Sequence, residues 1–97
     1  MAGYLIANID VKDPSKFEEY RQQVAPVIKK FGGRYLVRGG DLRRLEGDAP
    51  LNRLVVVEFP TVEVAQQFYD SAEYQPVLKL RLASTRSDVV LAQGNSG

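Results

Sequence analysis

Apolar and polar positions alternate from Tyr4 to Val11. Leu5, Ala7, Ile9 and Val11 fall on one side, and Tyr4, Ile6, Asn8 and Asp10 on the other. A period of two predicts a strand whose faces meet different surroundings. The spacing then changes. Asp13 followed by Pro14 has the chemistry of a helix cap with proline at the first helical position. Phe17, Tyr20, Val24, Val27, Ile28 and Phe31 recur at helical spacing until Gly32-Gly33. Pro26 lies inside this run and removes a backbone donor, which predicts a kink near Gln22 or a split into two helices.

Strand signals return at residues 34–38, followed by Gly39-Gly40-Asp41, which reads as a tight turn or bulge. Leu42 to Glu46 reads as an extended arm, and Gly47-Asp48-Ala49-Pro50 as a turn. Residues 53–59 carry Leu-Val-Val-Val, a β-branched stretch too short for a buried helix. Thr61 caps a helix carrying Val64, Ala65, Phe68 and Tyr69. Asp70-Ser71-Ala72-Glu73 has capping-box spacing and predicts a third helix lined by Tyr74, Val77, Leu78 and Leu82. Asp88 to Ala92 reads as a last short strand, and residues 93–97 as a polar, mobile tail.

The order β-α-β-β-α-β is the split βαβ plan, an α+β, ferredoxin-like architecture with helices on one face of an antiparallel sheet. The whole chain, residues 1–97, is one domain with its core in 3–92. Assigning the more apolar side of each strand to the helices leaves Tyr4, Ile6, Asn8, Arg34, Leu36, Arg38, Leu54, Val56, Glu58 and Val90 on the open face. A solvated face would be mostly charged. This one is largely aliphatic, so a second copy is expected to cover it in a two-fold homodimer. A single bulge would reshuffle the assignment.

Composition narrows the chemistry. Thirteen basic and twelve acidic residues give a net charge of +1, and the sequence has no basic stripe, so no nucleic-acid partner is expected. No apolar run approaches a membrane span, and Met1-Ala2-Gly3-Tyr4 does not resemble a secretory leader, so a cytoplasmic protein without a membrane partner is expected. The chain has no Cys and no His. That argues against thiolate nucleophiles, zinc sites, His-ligated haem and Ser-His-Asp catalysis, and no metal or other cofactor is expected.

Three segments carry a family resemblance: residues 30–40 (KFGGRYLVRGG), 54–60 (LVVVEFP) and 69–75 (YDSAEYQ). In this order, along nearly the whole chain, they resemble the domain-of-unknown-function family 1330, which is similar to the dimeric α/β-barrel superfamily. The resemblance implies a fold and a dimer, and no agreed activity. The wider superfamily includes cofactor-independent oxygenases and haem-degrading enzymes. Asn8 is this chain's one likeness to the haem-degrading members, whose Trp and His have no counterpart here.

The candidate site follows from the polar groups of the open face. Glu58 as acid or base, with Arg38 beside it and Asn8 nearby, would converge in a mostly apolar cavity, where a carboxyl pKa shifts readily. The structural alternative is an ion pair that fixes the sheet or the dimer. Tyr20, Tyr69 and Tyr74 are candidate ligand-binding groups between helices and sheet, with core packing as the competing role. Arg38-Gly39-Gly40 suits either an anion nest or a turn. Ser71 reads as a helix-end residue, and Arg81 on the third helix as a solvent-exposed arginine, with contact to a ligand carboxylate as the competing role. Two functions follow: a small organic ligand bound or converted beside the sheet, or a non-catalytic dimerisation or regulatory module.

Overall fold

A computed structural model describes residues 1–95. The elements are β1 (Gly3–Val11), α1 (Pro14–Lys30), β2 (Arg34–Arg38), β3 (Arg53–Phe59), α2 (Val62–Asp70), α3 (Tyr74–Ser84) and β4 (Thr85–Gln93). The four strands form one antiparallel sheet in the order β2-β3-β1-β4, the ferredoxin-like arrangement. Leu5, Ala7, Ile9, Val57 and Phe59 point from the sheet into the core. They meet Phe17, Val24 and Ile28 of α1, Ala65 and Phe68 of α2, and Tyr74, Val77 and Leu78 of α3.

The helix starts follow the sequence chemistry. The Asp13 carboxylate accepts from the Lys16 N–H at 3.1 Å, and Thr61 Oγ1 accepts from the Val64 N–H at 3.1 Å. Despite Pro26, α1 is one element from Pro14 to Lys30, because a single lost bond is outweighed by the packed face around it. At the α2–α3 junction the structure corrects the expectation. Asp70 ends α2 and accepts from Gln66, and α3 starts at Tyr74. Ser71 makes the turn, donating to the Phe68 carbonyl at 2.8 Å and accepting from the Tyr74 N–H at 3.2 Å. Glu73 does not close a capping box; its carboxylate pairs with Lys30 across the domain. β4 is also longer than expected. It takes in Gln93, and Gly94 donates to the Ala2 carbonyl at 2.8 Å, while Ser96 and Gly97, part of the expected tail, lie outside the described residues.

Register decides the rest. Tyr35 pairs with Val57, but Val37 pairs with Val56, so Leu36 is the extra residue of a β-bulge. The bulge turns Val37 to the open face and carries Arg38 to the helix side, opposite Val55. Gly39 follows at φ +72° and donates to the Leu54 carbonyl at 2.9 Å, a conformation that favours glycine. Beyond it, residues 41–52 form an exposed arm without helix or strand.

Candidate functional site

The residues expected to form one site occupy opposite faces of the sheet. Glu58 stands on the open face in a row across three strands, between Arg34 and Tyr4. Its carboxylate accepts from Arg34 Nε at 2.7 Å and from the Tyr4 hydroxyl at 3.2 Å. The Arg34 hydrogen bond, more than any other influence, holds the Glu58 carboxyl below the ordinary carboxylate range. Asn8 is four positions along β1 from Tyr4, roughly 13 Å at a strand's rise. Both ends of its amide are used: Nδ2 donates to the Pro50 carbonyl at 2.9 Å, and Oδ1 accepts from the Asn52 N–H at 3.0 Å. Asn8 thus ties the end of the exposed arm to the sheet. Arg38, moved by the bulge, approaches neither. The expected convergence of Glu58, Arg38 and Asn8 does not form.

A different constellation forms between α1, α3 and the sheet. A cleft of about 50 Å³ opens there. Its wall is apolar, with Leu5, Ala7, Val24, Val55 and Val89 among its residues. Two of the three expected tyrosines face it. The Tyr20 and Tyr74 hydroxyls lie 2.9 Å apart, linking α1 to α3. Tyr69 packs on Tyr74 with the rings tilted and their centroids 5.5 Å apart, and borders a separate groove with Gln66 and Leu91.

Arginines are the main surprise. Arg81 is 4% exposed and lines the cleft. This corrects the expectation of a solvent-exposed side chain, and the reason is helical phase. Tyr74, Val77, Leu78 and Arg81 follow at i, i+3, i+4 and i+7 on the buried face of α3, while Leu82 is turned outward and 62% exposed. At the outer end stand Arg21, Arg38 and Arg53. Arg38 lies 4.2 Å over the Tyr35 ring, and Arg53 lies 5.6 Å from the Phe17 ring centre. Burial, then repulsion from Arg21 and Arg38, lowers the Arg53 pKa. Arg21, Arg53 and Tyr35 joined no sequence pattern that marked a site. Arg81 did carry a signal, a cation at an apolar helical position.

Burial is the largest influence on Tyr20 and raises its pKa well above the ordinary phenol value; the neighbouring Tyr74 adds to this, and Arg81 opposes it. The neutral phenol therefore stabilises the fold fully below the unfolded value of about 10. That contribution is lost as pH rises toward the folded value, because only the unfolded state then releases its proton. Between pH 10 and 12 the unfolding free energy of the wild type should fall more steeply than that of Tyr20→Phe. The difference in slope is up to about 1.4 kcal/mol per pH unit. Urea melts across this range measure it, and parallel slopes would contradict a half-buried Tyr20 held neutral.

The residues that line the cleft include no carboxylate among those described. Nor does any group of three or more Asp, Glu, His or Cys among the described residues suit a metal ion. No described helix is long and apolar enough to cross a membrane. What the cleft offers is hydrogen-bond donors and positive charge against an apolar wall.

The fold has close structural relatives. A protein of unknown function from Rhodopseudomonas palustris superposes with a TM-score of 0.80 at 16% identity, over 99% of this chain and 84% of its own. A dimeric ferredoxin-like protein of unknown function from Jannaschia gives 0.72 at 12% identity, over 97% of this chain and 100% of its own. SnoaB, a cofactor-independent oxygenase from Streptomyces nogalater, gives 0.65 at 16% identity, over 99% and 95%. At such identities the likeness establishes the fold alone. No curated protein matches the sequence. Residues 2–95 match the family described as Domain of unknown function (DUF1330), and the chain belongs to that family.

Proposed function

We propose that the protein binds, and in that setting can convert, a small organic molecule in the cleft between α1, α3 and the sheet, and that it does so as a cytoplasmic homodimer without metal or haem. The observation that carries this reading is the lining of the void. Protein interiors hold few voids larger than a water molecule. Here the Tyr20–Tyr74 pair and buried Arg81 face a space of about 50 Å³ in an otherwise apolar core. Sites for drug-sized ligands run to about 300–1,000 Å³. The ligand is therefore compact, or enters by one end and projects past Arg21, Arg38 and Arg53. Tyr20, Tyr74, Arg38 and Arg81 are the groups that meet it. Glu58 and Asn8 serve the sheet and the arm, and Tyr69 supports Tyr74 from behind.

The dimer draws on the open face. Leu36, Val37 and Val90 are exposed there, and Leu42, Leu45 and Leu51 on the arm, with Leu45 88% exposed. A second copy would cover such a patch. The structurally similar Jannaschia protein is itself described as dimeric.

Native mass spectrometry with a panel of compact acids, phenols, alcohols and amides tests the ligand reading. The expected result is one molecule bound per protomer by at least one class. Ala7→Leu should abolish that binding, since Ala7 lines the cleft and the added carbons occupy it. Overpacking of this kind costs about 1–3 kcal/mol, which a folded domain can bear. Binding unchanged in Ala7→Leu would move the site elsewhere.

A further inference from the structure

We propose that the ligand of the cleft is an organic anion, a compact carboxylate whose charge rests on Arg81 and whose oxygens lie beside the hydroxyls of Tyr20 and Tyr74. This rests on the reading of the cleft as a ligand pocket and adds the chemical class.

The case begins with Arg81. It is 4% exposed, and its guanidinium stays charged at any pH at which the protein folds. The ion pairs among the described residues are Lys12–Asp10, Arg21–Glu18, Lys30–Glu73 and Arg34–Glu58. Arg81 belongs to none of them. Its polar neighbours are the phenols of Tyr74, which takes a hydrogen bond from it, Tyr20 and Tyr69; as neutral phenols they supply dipoles and no counter-charge. A buried charge without a counter-charge is strongly unfavourable, so such groups ordinarily sit opposite a partner. No carboxylate among the described residues pairs with Arg81, and Arg81 lines the cleft.

The rest of the lining points the same way. Nε of Arg21 and Nε of Arg53 are both buried without a hydrogen-bond acceptor. With Arg38 they place three further guanidiniums around the cleft, held by Glu18 on Arg21, by the Tyr35 ring under Arg38 and by the Phe17 ring beside Arg53. A path edged by one sign of charge and walled by apolar residues concentrates ions of the opposite sign. Carboxylate suits it better than phosphate. Arginine's planar fork matches a planar carboxylate with two parallel hydrogen bonds. The space takes a few heavy atoms, and Leu5, Val24 and Val89 offer hydrocarbon contact rather than the further donors a phosphate would need.

The test compares acids with their neutral isosteres. Wild-type protein in low-salt buffer is titrated with acetate, benzoate, acetamide, benzamide and inorganic phosphate, with binding read by NMR and by thermal shift. At least one acid should bind tenfold or more tightly than its amide. In Arg81→Met and Arg81→Gln that ratio should fall to near one, with the circular dichroism spectrum and solution mass unchanged. Arg81→Met should also melt no lower than the wild type when no acid is present, because it removes an unpaired buried charge; a marked loss of stability would show that Arg81 is already satisfied within the fold and would overturn the proposal. If an amide binds as well as its acid, or if Arg81→Met keeps the preference, the anion is wrong and the ligand pocket stands. Phosphate binding above both acids overturns the carboxylate. Failure of every probe to bind, charged or neutral, overturns both this inference and the pocket on which it rests.

Discussion

Val56→Asp should convert the protein from a particle of about twice 10.8 kDa to one of 10.8 kDa, or to aggregate. Val56 lies in the middle of β3, paired with Ile6 on one side and with Val37, next to the bulge, on the other. All three share the open face by register. A carboxylate placed there in a sheet-to-sheet dimer has no cation opposite it, since the nearest acid on that face, Glu58, already takes up Arg34. Burying an unpaired charge costs on the order of several kcal/mol, more than a modest interface offsets. In a free monomer the same side chain would stand in water at little cost. The variant therefore separates assembly from folding, and circular dichroism should remain native wherever the product stays soluble. Val57→Asp is the contrasting substitution. One residue on, Val57 faces the core, and its change should unfold the chain. Light scattering at micromolar concentration decides the matter; a wild-type monomer, or a Val56→Asp dimer, removes the argument for a covered sheet face.

How far the sequence reaches is set by where local rules stop. Alternation and helical spacing were enough for the element order and for β2 and β3, because each of those signals lies within a few residues. Caps at Asp13 and Thr61 were legible for the same reason. Of the candidate cleft, Tyr20 and Tyr74 were legible as groups between helices and sheet, but the placement of its arginines was not, and two particular residues explain that. Leu36 is an extra residue in β2, and nothing in Arg-Tyr-Leu-Val-Arg distinguishes a bulged strand from a regular one. Its insertion moves Arg38 from the face of Glu58 to the face of Tyr20. Arg81 could have been placed, since it falls at i+7 from Tyr74 on the buried stripe of α3. Reading Leu82 as the next core position, by its apolarity alone, displaced it. The Glu58–Arg34–Tyr4 row depends on pairing across three strands, which only the assembled sheet fixes. A carboxylate ending an apolar strand does need compensation, and Arg34 rather than Arg38 supplies it.

Phe68→Ala should cost about 3–5 kcal/mol and lower the melting temperature by roughly 12–40 °C. Phe68 is the residue through which the three helices and the sheet meet. Its ring centre lies 4.5 Å from Tyr74, 5.2 Å from Phe59 and 6.0 Å from Phe31, and it is 2% exposed. Truncation removes the hydrocarbon burial and leaves a cavity that so tightly packed a site closes only in part. Against a total stability of about 5–15 kcal/mol for a domain, the loss leaves the fold marginal. Tyr69→Ala, at a half-buried position on the same helix, should cost far less. The consequence reaches the cleft, because Phe68 lines it beside Tyr74. The vacated space adjoins the apolar wall of the cleft, so it should take up benzene, as engineered apolar cavities do. Benzene should therefore raise the melting temperature of Phe68→Ala and leave the wild type unchanged. Thermal scans of both proteins with and without benzene measure the two effects together. A loss below about 1 kcal/mol would show that α2 can be loosened without disturbing Tyr74, and the link between the aromatic cluster and the cleft would fall with it.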